Sequence, residues 1–302
     1  MANPVTTILN PKGDRVMLFW VDQQQRLALS QIPIDASKHN LLYSAHGTPA
    51  GADVTNQSIA AVYLRGIPVV FGKIATNDKK LVLGQLSPIK NILAANEDDL
   101  ESTTVDLPAF AAVSDTEDTA WLYYFKKPAP QAPAVLMEAS LNYDNLDVNP
   151  VPGMKPGWQP DETSRLAALY IDKDHREVFY QQQGGDSQIY CLRVGSHVEP
   201  QHIAGTNQAM NGTPIAVTKT DSGNVYLYYL SSKGDVQRAT RTGNEWISSV
   251  GTMTQFPSLS ARLETQMAVA TANNNGKTQN NLFYINSGEK NYKTNVDKGG
   301  VE

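Results

Sequence analysis

Thr213-Pro214-Ile215-Ala216-Val217 runs through a polar turn into Val225-Tyr226-Leu227-Tyr228-Tyr229, and from there through Ser232-Lys233-Gly234-Asp235 into Val236-Gln237-Arg238. A further short segment, Glu245-Trp246-Ile247-Ser248, closes the stretch. Aromatic and β-branched residues suit a pleated, half-buried surface, and Ser, Gly and Asp between them mark tight turns. The stretch reads as four short antiparallel strands. Its first strand is built from small residues and its second from large aromatic ones.

The same unit recurs along the whole chain. Its small-residue strand returns as Ser58-Ile59-Ala60-Ala61-Val62, Ala109-Phe110-Ala111-Ala112-Val113, Arg165-Leu166-Ala167-Ala168-Leu169 and Thr265-Gln266-Met267-Ala268-Val269, with a weaker copy at Pro4 to Ile8. Starting at residues 4, 58, 109, 165, 213 and 265, the copies are spaced by 54, 51, 56, 48 and 52 residues. Aromatic strands follow at Val16 to Trp20, Trp121 to Phe125, Val178 to Tyr180 and Leu282 to Tyr284. After polar turns such as Gln23-Gln24-Gln25 and Asn77-Asp78-Lys79, third strands follow at Arg26 to Leu29, Lys80 to Leu83 and Gln188 to Cys191. Leu41-Leu42-Tyr43 reads as a fourth strand. Three or four antiparallel strands repeated at about 50 residues are the mark of a propeller blade. The expectation is an all-β fold, a six-bladed β-propeller forming a single domain over 1–302. Small residues suit innermost strands that converge on an axis. One long β-sandwich, or two, is the competing architecture. The Pro- and Gly-rich segment from Asn142 to Gln159 resembles a domain linker, but the repeat resumes after it and it is read as an inter-blade loop.

Composition narrows the function classes. The chain has 302 residues, 41% hydrophobic and 18% charged, which is globular rather than disordered. A net charge of −5 without a basic stripe argues against nucleic acid. No apolar run approaches the ~18 residues that a membrane helix needs. Cys191 is the only cysteine, so no internal disulfide forms. A cytoplasmic protein and a secreted one whose leader has been removed are both consistent with the chain.

The stretch from Thr213 to Trp246 resembles one blade of the fungal fucose-specific lectins, and the period extends the resemblance along nearly the whole chain. The resemblance implies a six-bladed propeller that holds sugar between blades. In that family an Arg stands at the second position of the aromatic strand and a Glu on the next strand, with aromatic platforms nearby. Charge-assisted hydrogen bonds to hydroxyls are the physical logic. Aligned with that pattern, the Arg positions hold Met17, Pro68, Trp121, Glu177, Tyr226 and Asn281. The Glu positions hold Leu29, Leu83, Glu138, Cys191, Arg238 and Thr294. Only Glu138 keeps the pattern.

Standard catalytic signatures are absent: no Gly-x-Ser-x-Gly elbow, His-Glu-x-x-His pair or Walker loop. No metal or cofactor is expected. His39, His46, His175, His197 and His202 read as loop residues between blades, and Cys191 as a small core residue. Asp144-Asn145-Leu146-Asp147 reads as a turn rather than a calcium loop, and Glu97-Asp98-Asp99 with Glu101 as a solvated loop. If the sugar sites are lost, the axial pocket is the natural ligand site, with Tyr63, Tyr170 and Arg165 as donors at its rims. Trp121, Glu138, Thr218 and Tyr226 are the expected substrate-binding residues.

Three functions fit. The first is a cofactor-free enzyme acting on an apolar small molecule. Some proteins resembling this scaffold are hetero-Diels–Alderases that join a terpene to a tropolone quinone methide. Alignment alone can be worth about 7–11 kcal/mol of barrier, and Tyr or Arg donors would add polarisation. The second is a lectin with altered sites. The third is a protein-interaction platform.

Overall fold

A computed structural model describes residues 4–22, 26–34, 44–46, 54–75, 81–89, 91–93, 107, 109–127, 129, 131–142, 145–155, 157–184, 187–252, 265–274, 276–285 and 292–297. Outside these lie the turns Gln23–Gln25 and Asn77–Lys79, the segment Leu41–Tyr43, His39, Asp144 and the acidic run at 97–101.

Six antiparallel sheets follow one another along the chain. Blade 1 holds β1 (Val5–Leu9), β2 (Arg15–Val21), β3 (Leu27–Pro33) and β4 (Ser44–His46). Blade 2 holds β5 (Val54–Leu64), β6 (Ile67–Ala75), β7 (Leu81–Ser87) and β8 (Asn91–Ile92). Blade 3 is β9 (Phe110–Ser114), β10 (Thr119–Lys126), β11 (Val135–Asn142) and β12 (Asn145–Pro150). Blade 4 is β13 (Ala167–Asp172), β14 (His175–Gln181), β15 (Ile189–Arg193) and β16 (Gln201–His202). Blade 5 is β17 (Ala216–Lys219), β18 (Val225–Leu230), β19 (Val236–Thr242) and β20 (Glu245–Thr252). Blade 6 has β21 (Ala268–Asn274), β22 (Lys277–Tyr284) and β23 (Lys293–Asp297) among the described residues. The protein is a six-bladed β-propeller.

The small-then-aromatic pattern has a direct structural cause. Each inner strand sets one small residue across the ladder from one aromatic: Thr6 from Phe19, Ala60 from Phe71, Ala111 from Tyr123, Ala167 from Phe179, Ala216 from Tyr228 and Ala268 from Phe283. The large ring of one strand is accommodated by the missing bulk of the next, and such cross-strand pairs are the unit of sheet stabilisation. The inner strands surround a narrow axial channel of about 160 Å³.

The core lies between blades, because successive side chains of a strand point to opposite faces. Along β14, Val178 and Tyr180 pack with Tyr123 and Phe125 of blade 3, whereas Phe179 packs with Leu227 and Tyr229 of blade 5. The ring closes through Val5, Val16 and Leu18 packed on Ala268, Ala270 and Phe283. Gln266 ties this seam: its Oε1 accepts from the N–H groups of Val5 and Ile59 at 3.2 and 3.1 Å, and its Nε2 donates to the Ile59 carbonyl at 2.9 Å.

One sequence expectation is corrected here. Part of the segment read as an inter-blade loop is β12, which pairs with β11 from Asn142↔Asn145 to Met137↔Pro150. Leu146 and Val148 lean on the core while Asn145 and Asn149 face water, the alternation of an edge strand. The prolines obscured it, yet Pro150 ends an edge strand, where a missing N–H disrupts no ladder.

Candidate inter-blade binding cleft

The sequence His175-Arg176-Glu177 opens β14 and feeds two clefts at once. By strand alternation, Arg176 turns to blade 3, while His175 and Glu177 turn to blade 5. Glu177 receives a bidentate pair from Arg241 of β19, with Nη1 to Oε1 and Nη2 to Oε2 both at 2.8 Å. His175 Nε2 lies 3.0 Å from Glu177 Oε1. The pair is deeply buried, Glu177 at 4% and Arg241 at 8% exposure. Fork-to-carboxylate geometry is the strongest form of this contact. The guanidinium also rests 5.2 Å from the Trp246 ring centre. Its Nε–H is buried without an acceptor among the described residues.

Around this pair lies a cleft of about 430 Å³ between blades 4 and 5. Its blade 4 wall includes His175, Glu177, Cys191 and Arg193, and its blade 5 wall Lys219, Arg241 and Asn244. That volume falls within the ~300–1,000 Å³ usual for small-molecule sites. Cys191 is a poor nucleophile there, since burial pushes its thiol well above the ordinary range and Glu177 adds to the effect.

The neighbouring clefts reuse the same parts. Between blades 3 and 4, Arg176 Nη2 meets Glu138 Oε2 at 3.2 Å and its Nε donates to Tyr123 Oη at 3.0 Å. Tyr123 in turn donates to Glu138 at 2.7 Å. Arg176 also lies 4.3 Å over the Trp121 ring, and Trp121 stacks on Tyr170 at 5.9 Å and 14°. Between blades 5 and 6, Arg238 donates to Asp297 at 2.6 Å, and Asp297 accepts from Tyr228 at 2.8 Å. Asn280 joins Tyr228 to Thr271 and hence to Thr218, continuing the chain of hydrogen bonds toward the axis. In three successive clefts, one Arg–carboxylate pair crosses the blade boundary.

The ladders also locate the positions that a fucose lectin would use. Two residues before each paired aromatic stand Met17, Val69, Trp121, Glu177, Tyr226 and Asn281. Across the next ladder from that aromatic stand Leu29, Gln85, Glu138, Cys191, Arg238 and Thr294. Blade 2 therefore departs from the sequence alignment, which put Pro68 and Leu83 there. The regular ladder sets Phe71 across from Gln85, and its register shift comes only beyond, at Val70. The open cleft coincides with this lectin-like level, since Glu177 and Cys191 both line it.

The sequence-nominated residues fall in different places. Trp121, Glu138 and Tyr170 meet between blades 3 and 4, and Thr218 and Tyr226 are cross-strand neighbours in blade 5. Tyr63 stands apart, its hydroxyl 3.6 Å from Met17 Sδ. Arg165 precedes β13, its carbonyl accepting from Ser164 Oγ. The channel is lined by inner-strand residues such as Thr6, Ala60, Ala111 and Ala167, and not by Tyr63, Tyr170 or Arg165. The axial pocket expected from sequence is therefore narrow, and the larger space lies between blades. His175 and His202 lie in strands rather than loops, and His46 belongs to β4. Sequence reasoning missed Arg241 and His175. The signal available for both was the charged run at the start of β14 and a charged residue inside β19.

No family model matches the chain. The wall-associated proteinase of Coccidioides posadasii (strain RMSCC 757 / Silveira) is 32% identical over 240 residues, covering 76% of this chain and 75% of that protein. The chain belongs to that family. Its counterpart from Coccidioides immitis (strain RS) is 31% identical over the same shares. Among solved structures, AofleA of Arthrobotrys oligospora has a TM-score of 0.66 at 11% identity, covering 99% of this chain and 88% of that one. The six-bladed Aleuria aurantia lectin, with its fucose recognition mode, has a TM-score of 0.62 at 13% identity over 97% and 94%. At these identities the likeness shows the fold alone, the six-bladed propeller that this chain shares with those lectins.

Proposed function

We propose that this protein binds a glycan, and that it does so in the cleft between blades 4 and 5. The observation that carries the reading is the coincidence of the 430 Å³ cleft with the inter-blade level at which the fucose lectins place their sugar-holding Arg and Glu. The charges are exchanged rather than lost. The acid stands at the lectins' Arg position, and Arg241 arrives from the opposite wall. The wall association in the relatives' name agrees with glycan binding. Cys191 offers the proteinase in that name no thiolate, since burial pushes its thiol well up.

A panel of neutral and acidic monosaccharides in a thermal-denaturation assay tests the reading. A ligand at 100 times its dissociation constant adds about 2.7 kcal/mol to the folded state. That raises the melting temperature by at least several degrees, at roughly 2–4 °C per kcal/mol for a domain somewhat smaller than this one. Absence of any shift across the panel overturns it.

A cofactor-free cycloaddition catalyst joining a terpene to a tropolone quinone methide is the second reading. The Tyr170 ring, stacked on Trp121 and only partly buried, favours it, as an aromatic platform at the mouth of the filled cleft between blades 3 and 4. Burial and the nearby acids Asp115, Asp172 and Glu117 keep the Tyr170 phenol protonated, and burial does the same for Tyr63. Purified protein should then change the rate or stereochemistry of that cycloaddition; unchanged product ratios reject it.

A further inference from the structure

The cleft between blades 4 and 5 holds more positive charge than its own carboxylates neutralise. Glu177 is saturated, with both oxygens taken by Arg241 and one shared with His175. Arg193 stands directly across the β14–β15 ladder from Glu177, yet its side chain is exposed. Lys219 spends a bond on a neutral acceptor, its Nζ donating to the Ile171 carbonyl across the blade boundary at 3.3 Å. Among the described residues no carboxylate lies within 4.0 Å of Arg193 or Lys219. The one other acid in the lining, Glu199, sits exposed in the loop after β15. With the Glu177–Arg241 pair set aside, two cations from opposite walls face one solvent-screened acid.

We propose that this cleft takes a sugar bearing a carboxylate, with Arg193 of blade 4 and Lys219 of blade 5 as the groups that recognise it. The inference rests on the glycan reading above and names the ligand class of the same site. A guanidinium fork matches a carboxylate in plane, and an ammonium adds a compact point charge on the other side. A neutral sugar would satisfy neither cation electrostatically, so the site discriminates by charge rather than by shape alone.

Titration calorimetry of the full chain at low salt, with D-glucuronate and D-galacturonate set against D-glucose and D-galactose, tests the proposal. At least one uronate should bind about tenfold more tightly than its neutral parent, the return expected from a charge-assisted hydrogen bond. Arg193→Gln and Lys219→Gln should each reduce that uronate toward the neutral level, by a larger factor than they change the neutral parents. Neither side chain is part of the buried core, so an unchanged melting curve verifies the fold of both variants. Equal or tighter binding of the neutral sugars overturns the proposal, as does a uronate preference that survives both substitutions. If only neutral members of the wider panel bind, the carboxylate inference falls and the glycan reading stands. If no sugar binds, both fall.

Discussion

The clefts on the two sides of blade 4 are made from the same parts and end in different states. Each has an Arg–Glu pair crossing the blade boundary and a tryptophan under the guanidinium. On the blade 3 side, Trp121 occupies the lectin Arg position, Tyr170 stacks on it, and Arg176 lies across the pair. On the blade 5 side, Glu177 occupies that position, and the cleft in front of it stays open at 430 Å³. The difference teaches that the size of the side chain at this position decides the state of the cleft: an aromatic fills the space from within, whereas a shorter acid, paired with a cation from across the boundary, leaves the mouth free.

The sharpest break between the two clefts should appear when the acid is removed. Glu177→Leu strands Arg241 in a buried position, and breaking a buried pair costs about 3–5 kcal/mol. Glu138→Leu strands Arg176 less completely, because the Tyr123 hydroxyl and the Trp121 face remain as partners. About 1–2 kcal/mol is expected there, the scale of a partly compensated polar loss. Urea unfolding of the two variants measures both. Equal losses would show that the pairs differ only in appearance. The double variant Glu177→Leu with Arg241→Met should recover most of the loss, since a buried ion pair is often matched by apolar groups of similar volume.

These contrasts also mark how far the sequence could be read. The propeller was legible because its cause is local: the small residue opposite the aromatic recurs in every blade, and Ala216 opposite Tyr228 shows it in the clearest copy. The inter-blade clefts were legible only in part. Trp121 and Glu138 are read as binding residues and Tyr170 as an axial donor, and all three meet in one cleft. The open cleft was missed because its key contact joins Glu177 to Arg241, 64 positions apart and in neighbouring blades. A strand period of two assigns faces within one blade, but nothing local says which face of the next blade will meet it. The sequence alignment likewise put Pro68 and Leu83 one and two residues away from Val69 and Gln85, the positions that the ladders give.

Truncating the aromatic fill probes the closed side. Trp121→Ala should cost about 2–3 kcal/mol, below the 3–5 typical of a fully buried Trp because this ring is only partly buried. Trp121→Phe should lose about 1 kcal/mol, since it keeps a face for Arg176. Chemical denaturation ranks the two. A Phe variant as damaged as the Ala variant would mean that the indole's size, and not its stacking on Arg176, holds the cleft shut.

The smallest effect at neutral pH is also the one most specific to the packing behind each cleft. Tyr229 backs the blade 4–5 cleft, its hydroxyl donating to the Gly205 carbonyl at 2.9 Å, and burial pushes its phenol up to about 12. Tyr123 backs the blade 3–4 cleft, and burial together with Glu138 pushes it well up, against an opposing pull from Arg176. A phenol whose folded value exceeds its unfolded value of about 10 holds its proton more tightly when folded. Its contribution is therefore complete below about pH 10 and is lost as the pH climbs through the folded value. For Tyr229 the window runs from about 10 to about 12. Phenolate absorbance followed with circular dichroism should show these tyrosines ionising only together with loss of the fold. Glu138→Gln should let Tyr123 ionise earlier and leave Tyr229 unmoved, because the acid's charge and its hydrogen bond reach Tyr123 and not Tyr229. Ionisation of the buried phenols near pH 10 with the sheet signal intact would mean that water reaches the backs of both clefts, and that their difference lies only at the mouth.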